Sequence, residues 1–210
     1  MNTLIELVGV NQELLVYLAI DITIAILLLG TMRFLLGLTS KVNSTEELAQ
    51  KDNFAFGVSV AGSILALGIV LTGAITGENA PSYHMEIIGM LAYGAYGLVL
   101  IKVGRVIQDK VALQHLNKTD LIKEQNLSIG IIDAAGAIAT AIIIRAVLLW
   151  VDGLNVATFI AITSGFVVAQ AVLVLVTRLR ERKYATNNQQ DCLQEALSEG
   201  QLALAIRYSG

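Results

Sequence analysis

Residues 54–77 read FAFGVSVAGSILALGIVLTGAITG, with no charged side chain anywhere in the run. A helix rises about 1.5 Å per residue and bilayer hydrocarbon is roughly 30 Å thick, so a run of this length is what a spanning helix requires. Working outward from it, four further runs of similar character occupy residues 14–38, 86–107, 127–151 and 155–178. The 210 residues are 55% hydrophobic and 15% charged, with a mean hydropathy of +0.69, whereas soluble domains carry about 25% charged residues. A soluble helical protein can bury one such helix in its core, but five in succession leave almost no amphipathic surface for water. A secretory signal does not account for the first run either. Glu6 and Glu13 stand where a basic flank belongs, and the run ends in Arg33 instead of a small-residue cleavage site. The sequence therefore predicts an all-α, polytopic transmembrane bundle.

Charge predicts its orientation. Residues 33–51 hold three Lys or Arg, residues 102–123 five and residues 178–183 four, which is twelve of the fourteen in the chain. The first twelve residues and the 78–85 and 152–154 turns hold none. Positive charge is retained on the cytoplasmic side, so the expectation is an amino terminus outside and basic loops inside. Trp150, at the outer end of the fourth run, suits the headgroup level. The net charge of −3 carries no nucleic-acid signal, and none is expected as a partner; Cys192, the single cysteine, has no intrachain partner for a disulfide.

A repeat is visible. Glu47, Leu48, Asn53, Gly57 and Ala61 recur as Asp120, Leu121, Asn126, Gly130 and Ala134, an offset of 73, and a third copy begins at Glu195 with Gln201 in the Asn place. Arg33, Arg105 and Arg178 lie 72 and 73 residues apart. The predicted units are residues 1–81, 82–153 and 154–210, each a descending helix, a charged cytoplasmic loop and an ascending helix. Units that begin and finish on one side superpose by rotation about the membrane normal, giving parallel repeats. Five spanning helices would be complete, and the sixth would have about nine residues, or roughly 14 Å. The expectation is that the natural protein continues past Gly210; a short amphipathic helix lying at the interface is the alternative.

The pattern acidic-Leu-x-x-x-Asp-Asn-x-Ala-x-Gly-x-x-x-Ala-Gly-x-x-Leu-Ala-x-Gly, read from Glu47 to Gly68, resembles the bacterial inner-membrane family catalogued as domain of unknown function 350. That family is similar in carrying copies of a two-helix unit. The second copy departs at Gln125 and Ala135 and the third at Gln201. The resemblance implies no activity. It does imply an envelope context, because members are often encoded near membrane-stress proteins of the phage-shock type and near glutathionylspermidine-synthase-like ligases.

The catalytic inventory is short. His84 has no second His four residues on, and the chain lacks a Gly-x-Ser-x-Gly elbow, a phosphate-binding Gly-x-x-x-x-Gly-Lys loop and a cysteine cluster. We expect no enzyme, no cofactor and no metal. Ionisable residues at membrane depth are costly and are therefore the candidates. Asp21 lies about 12 Å below the outer edge and Asp133 about 9 Å above the inner one. Asp133 shares a helical face with Gly130, Ala137 and Thr140, so it points into protein; a hydrogen-bonded interface aspartate and an ion-path residue fit it equally. Arg145 can snorkel to the outer surface, and its depth also allows an Asp21–Arg145 pair. Asn53 and Asn126 sit at the mouths of corresponding helices, where an Asn caps the helix start or lines a polar vestibule. Glycines at spacings of three to seven on the second and third helices indicate close helix packing, and Tyr93 and Tyr96 can satisfy hydrogen bonds inside the bundle. Two functional readings remain. One is a non-enzymatic envelope component that assembles as a homo-oligomer or with peripheral membrane-stress proteins; the other is an ion channel or small-solute transporter with its path between the units. The lipid bilayer is a partner in both.

Overall fold

The computed structural model describes residues 12–39, 43–75, 82–151, 153–188 and 192–210. Among these residues every regular element is helical: α1 (Gln12–Thr39), a π-helical turn (Glu46–Gln50), α2 (Phe54–Ile75), α3 (Tyr83–Ile107) continuing into a second π-helical turn (Gln108–Ala112), α4 (Lys118–Lys123), α5 (Leu127–Leu148), α6 (Val156–Asn187), α7 (Leu193–Ser198) and α8 (Leu202–Ser209). Five stretches are long and apolar enough to cross a bilayer: Glu13–Met32, Phe54–Ile75, Tyr83–Ala112, Leu127–Leu148 and Val156–Asn187. The protein is an all-α, multi-pass transmembrane bundle.

Some boundaries differ from the apolar runs. The last long helix continues to Asn187 instead of 178, because apolarity stops where the helix leaves hydrocarbon but helix propensity does not. The segment after Arg178 is rich in Arg, Leu, Glu and Lys, and Arg178 pairs with Glu181 at 3.1 Å, one turn on. The third helix starts at Tyr83 instead of 86, since Ser82 Oγ accepts the Met85 N–H and sets an earlier N-cap. The fourth stops at Leu148, three residues before 151. The predicted tail of the second helix, residues 76–77, lies outside the described residues.

Small side chains place α2 and α5 at the centre. Ala55 meets Gly130, Gly62 meets Ala134 and Gly73 meets Arg145 and Leu148, so the two helices run side by side in the same direction. A Cβ at Gly62 would overlap Ala134, and one at Gly130 would overlap the backbone of Ala55; glycine is what permits the approach. In lipid, where apolar burial drives helices together only weakly, such backbone proximity supplies the association. Leu67, Ile101, Ile144 and Ile162 are buried in the core this creates. Helices α1 and α6 flank it and present Leu18, Ile22 and Ile26, and Val167, Val168 and Val172, outward to lipid.

One local geometry occurs three times at the basic end. Asp52, Gln125 and Gly200 adopt left-handed backbone, with φ of 48°, 63° and 85°, each lying between a short helical turn and the next helix. A left-handed residue reverses the chain tightly; it is uncommon for a side chain other than glycine or asparagine and marks a constrained position.

Candidate functional site

Each left-handed residue is followed by the residue that starts the next helix, and the first two of these are the asparagines singled out in the sequence. Asn53 Oδ1 accepts the Phe56 N–H at 2.9 Å and Asn126 Oδ1 accepts the Ile129 N–H at 3.3 Å, so both cap their helices. Their amide nitrogens do something the sequence did not signal. Asn53 Nδ2 donates across to the Ile122 carbonyl at 2.9 Å, and Asn126 Nδ2 to the Leu197 and Ser198 carbonyls at 3.3 and 2.7 Å. Ile122 and Leu197 each lie three residues before a left-handed residue, so each mouth grips the following hairpin at the same point. Asn53 Nδ2 also donates to Glu47 at 2.9 Å. The Lys51 ammonium, 2.8 Å from Glu47, and this amide hold the Glu47 carboxyl below its usual range.

Beside Asn53 the bundle contains a cluster of charges. Asp133, 3% exposed on α5, bonds to the Arg105 guanidinium of α3, with Arg105 Nε at 3.1 Å, and to the hydroxyl of Ser59 on α2. Lys118, 4% exposed at the start of α4, reaches Asp133 Oδ1 at 3.2 Å and also pairs with Asp109. Arg105 in turn donates to Ser59 Oγ at 2.7 Å. Two cations and two carboxylates thus join α2, α3, α4, α5 and the second π-helical turn. Burial and the adjacent guanidinium push the Lys118 ammonium down to about 7, while the two carboxylates favour its charged form. The cluster forms the floor of a cavity of about 410 Å³, walled by Met32, Phe56, Leu98 and Val99 and edged by Lys102 and Lys123.

The remaining candidates lie elsewhere. Arg145 Nε donates to Thr72 at 3.1 Å, while Asp21, 5% exposed, faces Glu86. The anticipated Asp21–Arg145 pair is therefore not formed: α3 packs in parallel beside α1 and brings a second acidic residue to Asp21 instead. Tyr93 donates to the Gly153 carbonyl at 2.7 Å and Tyr96 shares a 2.5 Å hydrogen bond with Thr163, tying α3 to α6 and the turn before it. Among the described residues no three His, Cys, Asp or Glu side chains are grouped to hold a metal.

Sequence reasoning missed Arg105, Lys118 and Ser59. Arg105 and Lys118 count as loop cations in the orientation argument, yet both fold back onto Asp133. A signal for Lys118 was present: it stands seven residues before Gln125, and the residue seven before Gly200 is Leu193, which marks the position as one that turns inward.

The Domain of Unknown Function (DUF350) family model matches residues 7–148. A UPF0719 transmembrane protein of Aquifex aeolicus (strain VF5) is 27% identical over 133 residues, 63% of this chain and 49% of that protein, so the chain spans about half the length of the relative it matches. No solved structure matches. With its five spanning helices and the family match over more than half its length, the chain belongs to the family described as Domain of Unknown Function (DUF350).

Proposed function

We propose that this protein is a non-enzymatic, multi-pass scaffold component of the bacterial inner membrane. The observation that supports it best is the closure around Asp133. An aspartate in an ion path needs a free oxygen facing a water-filled space. Here the carboxylate is held by Arg105, Lys118 and Ser59, partners from three separate segments. Such a group ties helices together. The amino terminus lies outside and the basic loops lie in the cytoplasm, a reading supported by the distribution of Lys and Arg. The units are parallel repeats, supported by the threefold left-handed turn and the matching Asn53 and Asn126 grips. The chain assembles with itself or with peripheral membrane-stress proteins through the basic end.

A second reading, an ion channel or transporter, is favoured by one feature. Asp21 Oδ1 is buried without a hydrogen-bond donor among the described residues. Reconstitution into proteoliposomes separates the two. The scaffold reading predicts no proton or alkali-cation flux above that of empty vesicles from protein that elutes as a single folded species. Flux abolished by Asp21→Asn would establish the channel instead.

A further inference from the structure

We propose that the cavity above the Asp133 cluster binds the phosphate headgroup of an anionic phospholipid, with the start of its acyl chains lying against α1 and α3. This goes beyond the scaffold reading and does not depend on it.

The cavity is amphipathic along one axis. On α3 its lining runs from Leu98 and Val99 through Lys102 and Arg105 to Asp109, about 16 Å of helix with apolar residues toward the membrane centre and charged ones toward the basic end. Met32 extends the apolar part onto α1. A free phosphate or a soluble phosphate ester has no use for that wall, whereas a lipid whose headgroup lies at the level of Lys102 lays its glycerol and first methylenes along it.

Charge supplies the other half. The three carboxylates in the lining are already matched: Glu47 by Lys51, Asp133 by Arg105 and Lys118, and Asp109 by Lys118. Lys102 and Lys123 are exposed at the edge and make no ion pair among the described residues, so the excess charge there is positive. The volume of about 410 Å³ falls within the range of small-ligand sites. Lys118, whose ammonium is held down to about 7, gains from a nearby anion as well, since a second negative group favours its charged form.

The test is native mass spectrometry of the full chain released from nanodiscs containing equal phosphatidylglycerol and phosphatidylcholine. The proposal predicts phosphatidylglycerol retained over phosphatidylcholine by about tenfold. The double variant Lys102→Gln/Lys123→Gln should fall to near-equal retention with its melting temperature in phosphatidylcholine unchanged. Lys110→Gln/Lys183→Gln, which removes two cations of the same end outside the cavity, should keep the preference. No preference in the parent, or an equal loss in both double variants, overturns the proposal, the latter because it reports general surface attraction. Inorganic phosphate raising the melting temperature as much as phosphatidylglycerol does would overturn the lipid assignment in favour of a soluble anion.

Discussion

The two hairpins at the basic end are gripped in the same way but filled with different chemistry. Asn53 holds the first through the Ile122 carbonyl and Asn126 holds the second through that of Leu197. Eight residues past each left-handed turn stands the residue facing the filling: Asp133 after Gln125, and Tyr208 after Gly200. Around Asp133 are Arg105, Lys118 and Ser59. Near Tyr208 are Leu113, Leu116, Leu193 and Leu197 in a second apolar core, with the Arg180 guanidinium 5.7 Å from the Tyr208 ring centre and Thr177 2.8 Å from its hydroxyl. Lys118 and Leu193 occupy matching buried places. The grip therefore does not need the charges. A fold that closes with leucine in one hairpin has a reason other than closure for burying Lys118 and Asp133 beside Arg105 in the other, and the adjoining cavity is where that reason lies.

The largest predicted effect comes from leaving the first filling half intact. Asp133→Asn strands Arg105 and Lys118 without their shared carboxylate and should cost about 3–5 kcal/mol, read as denaturant unfolding in detergent. Tyr208→Phe, which removes one hydroxyl from the second filling, should cost only about 1 kcal/mol in the same assay. Packing comes next. Gly130→Leu forces a side chain onto the Ala55 backbone and should cost about 1–3 kcal/mol, while Gly68→Ala, with open space around it, should be neutral or slightly stabilising. If the grips are equivalent, Asn53→Ala and Asn126→Ala each lose a cap and a cross-hairpin bond and should cost about 1–2 kcal/mol apiece. A cost at only one of them would break the comparison.

Titration sharpens it further. The folded Lys118 pKa of about 7 lies below the ordinary 10.5. Between those values the unfolded chain keeps a proton that the folded one has released, so stability rises with pH across that window. Lys118→Leu should flatten the rise, measured as the change in melting temperature between pH 7 and 10, and an unchanged slope would remove Lys118 from the account.

What was legible in the sequence follows from the range of each signal. Hydrocarbon thickness acts on contiguous residues, so the five spanning helices could be read directly, and capping acts within three residues, so Asn53 and Asn126 could be read as helix starts. Asp133 was identified by its depth alone. Its partners were not, because Arg105 lies 28 residues away and Ser59 lies 74 away, and side-chain pairing at that distance leaves no periodic trace. Arg105 and Lys118 were further concealed by a rule that treats cations flanking a span as solvated. Asp21 was paired with Arg145 on depth, but depth does not say which helices are neighbours; α3 sits beside α1 and delivers Glu86.

If the first hairpin closes without its buried charges, replacing them with apolar groups leaves its stability intact. The most direct measurement is equilibrium unfolding of Arg105→Met/Lys118→Leu/Asp133→Tyr, which puts Leu and Tyr where the second hairpin has them and also removes the guanidinium that would otherwise lose its carboxylate. Replacing a buried ion pair by well-packed apolar groups is often neutral or stabilising, so the account predicts a stability within about 1 kcal/mol of the parent. A loss as large as that of Asp133→Asn alone would contradict it.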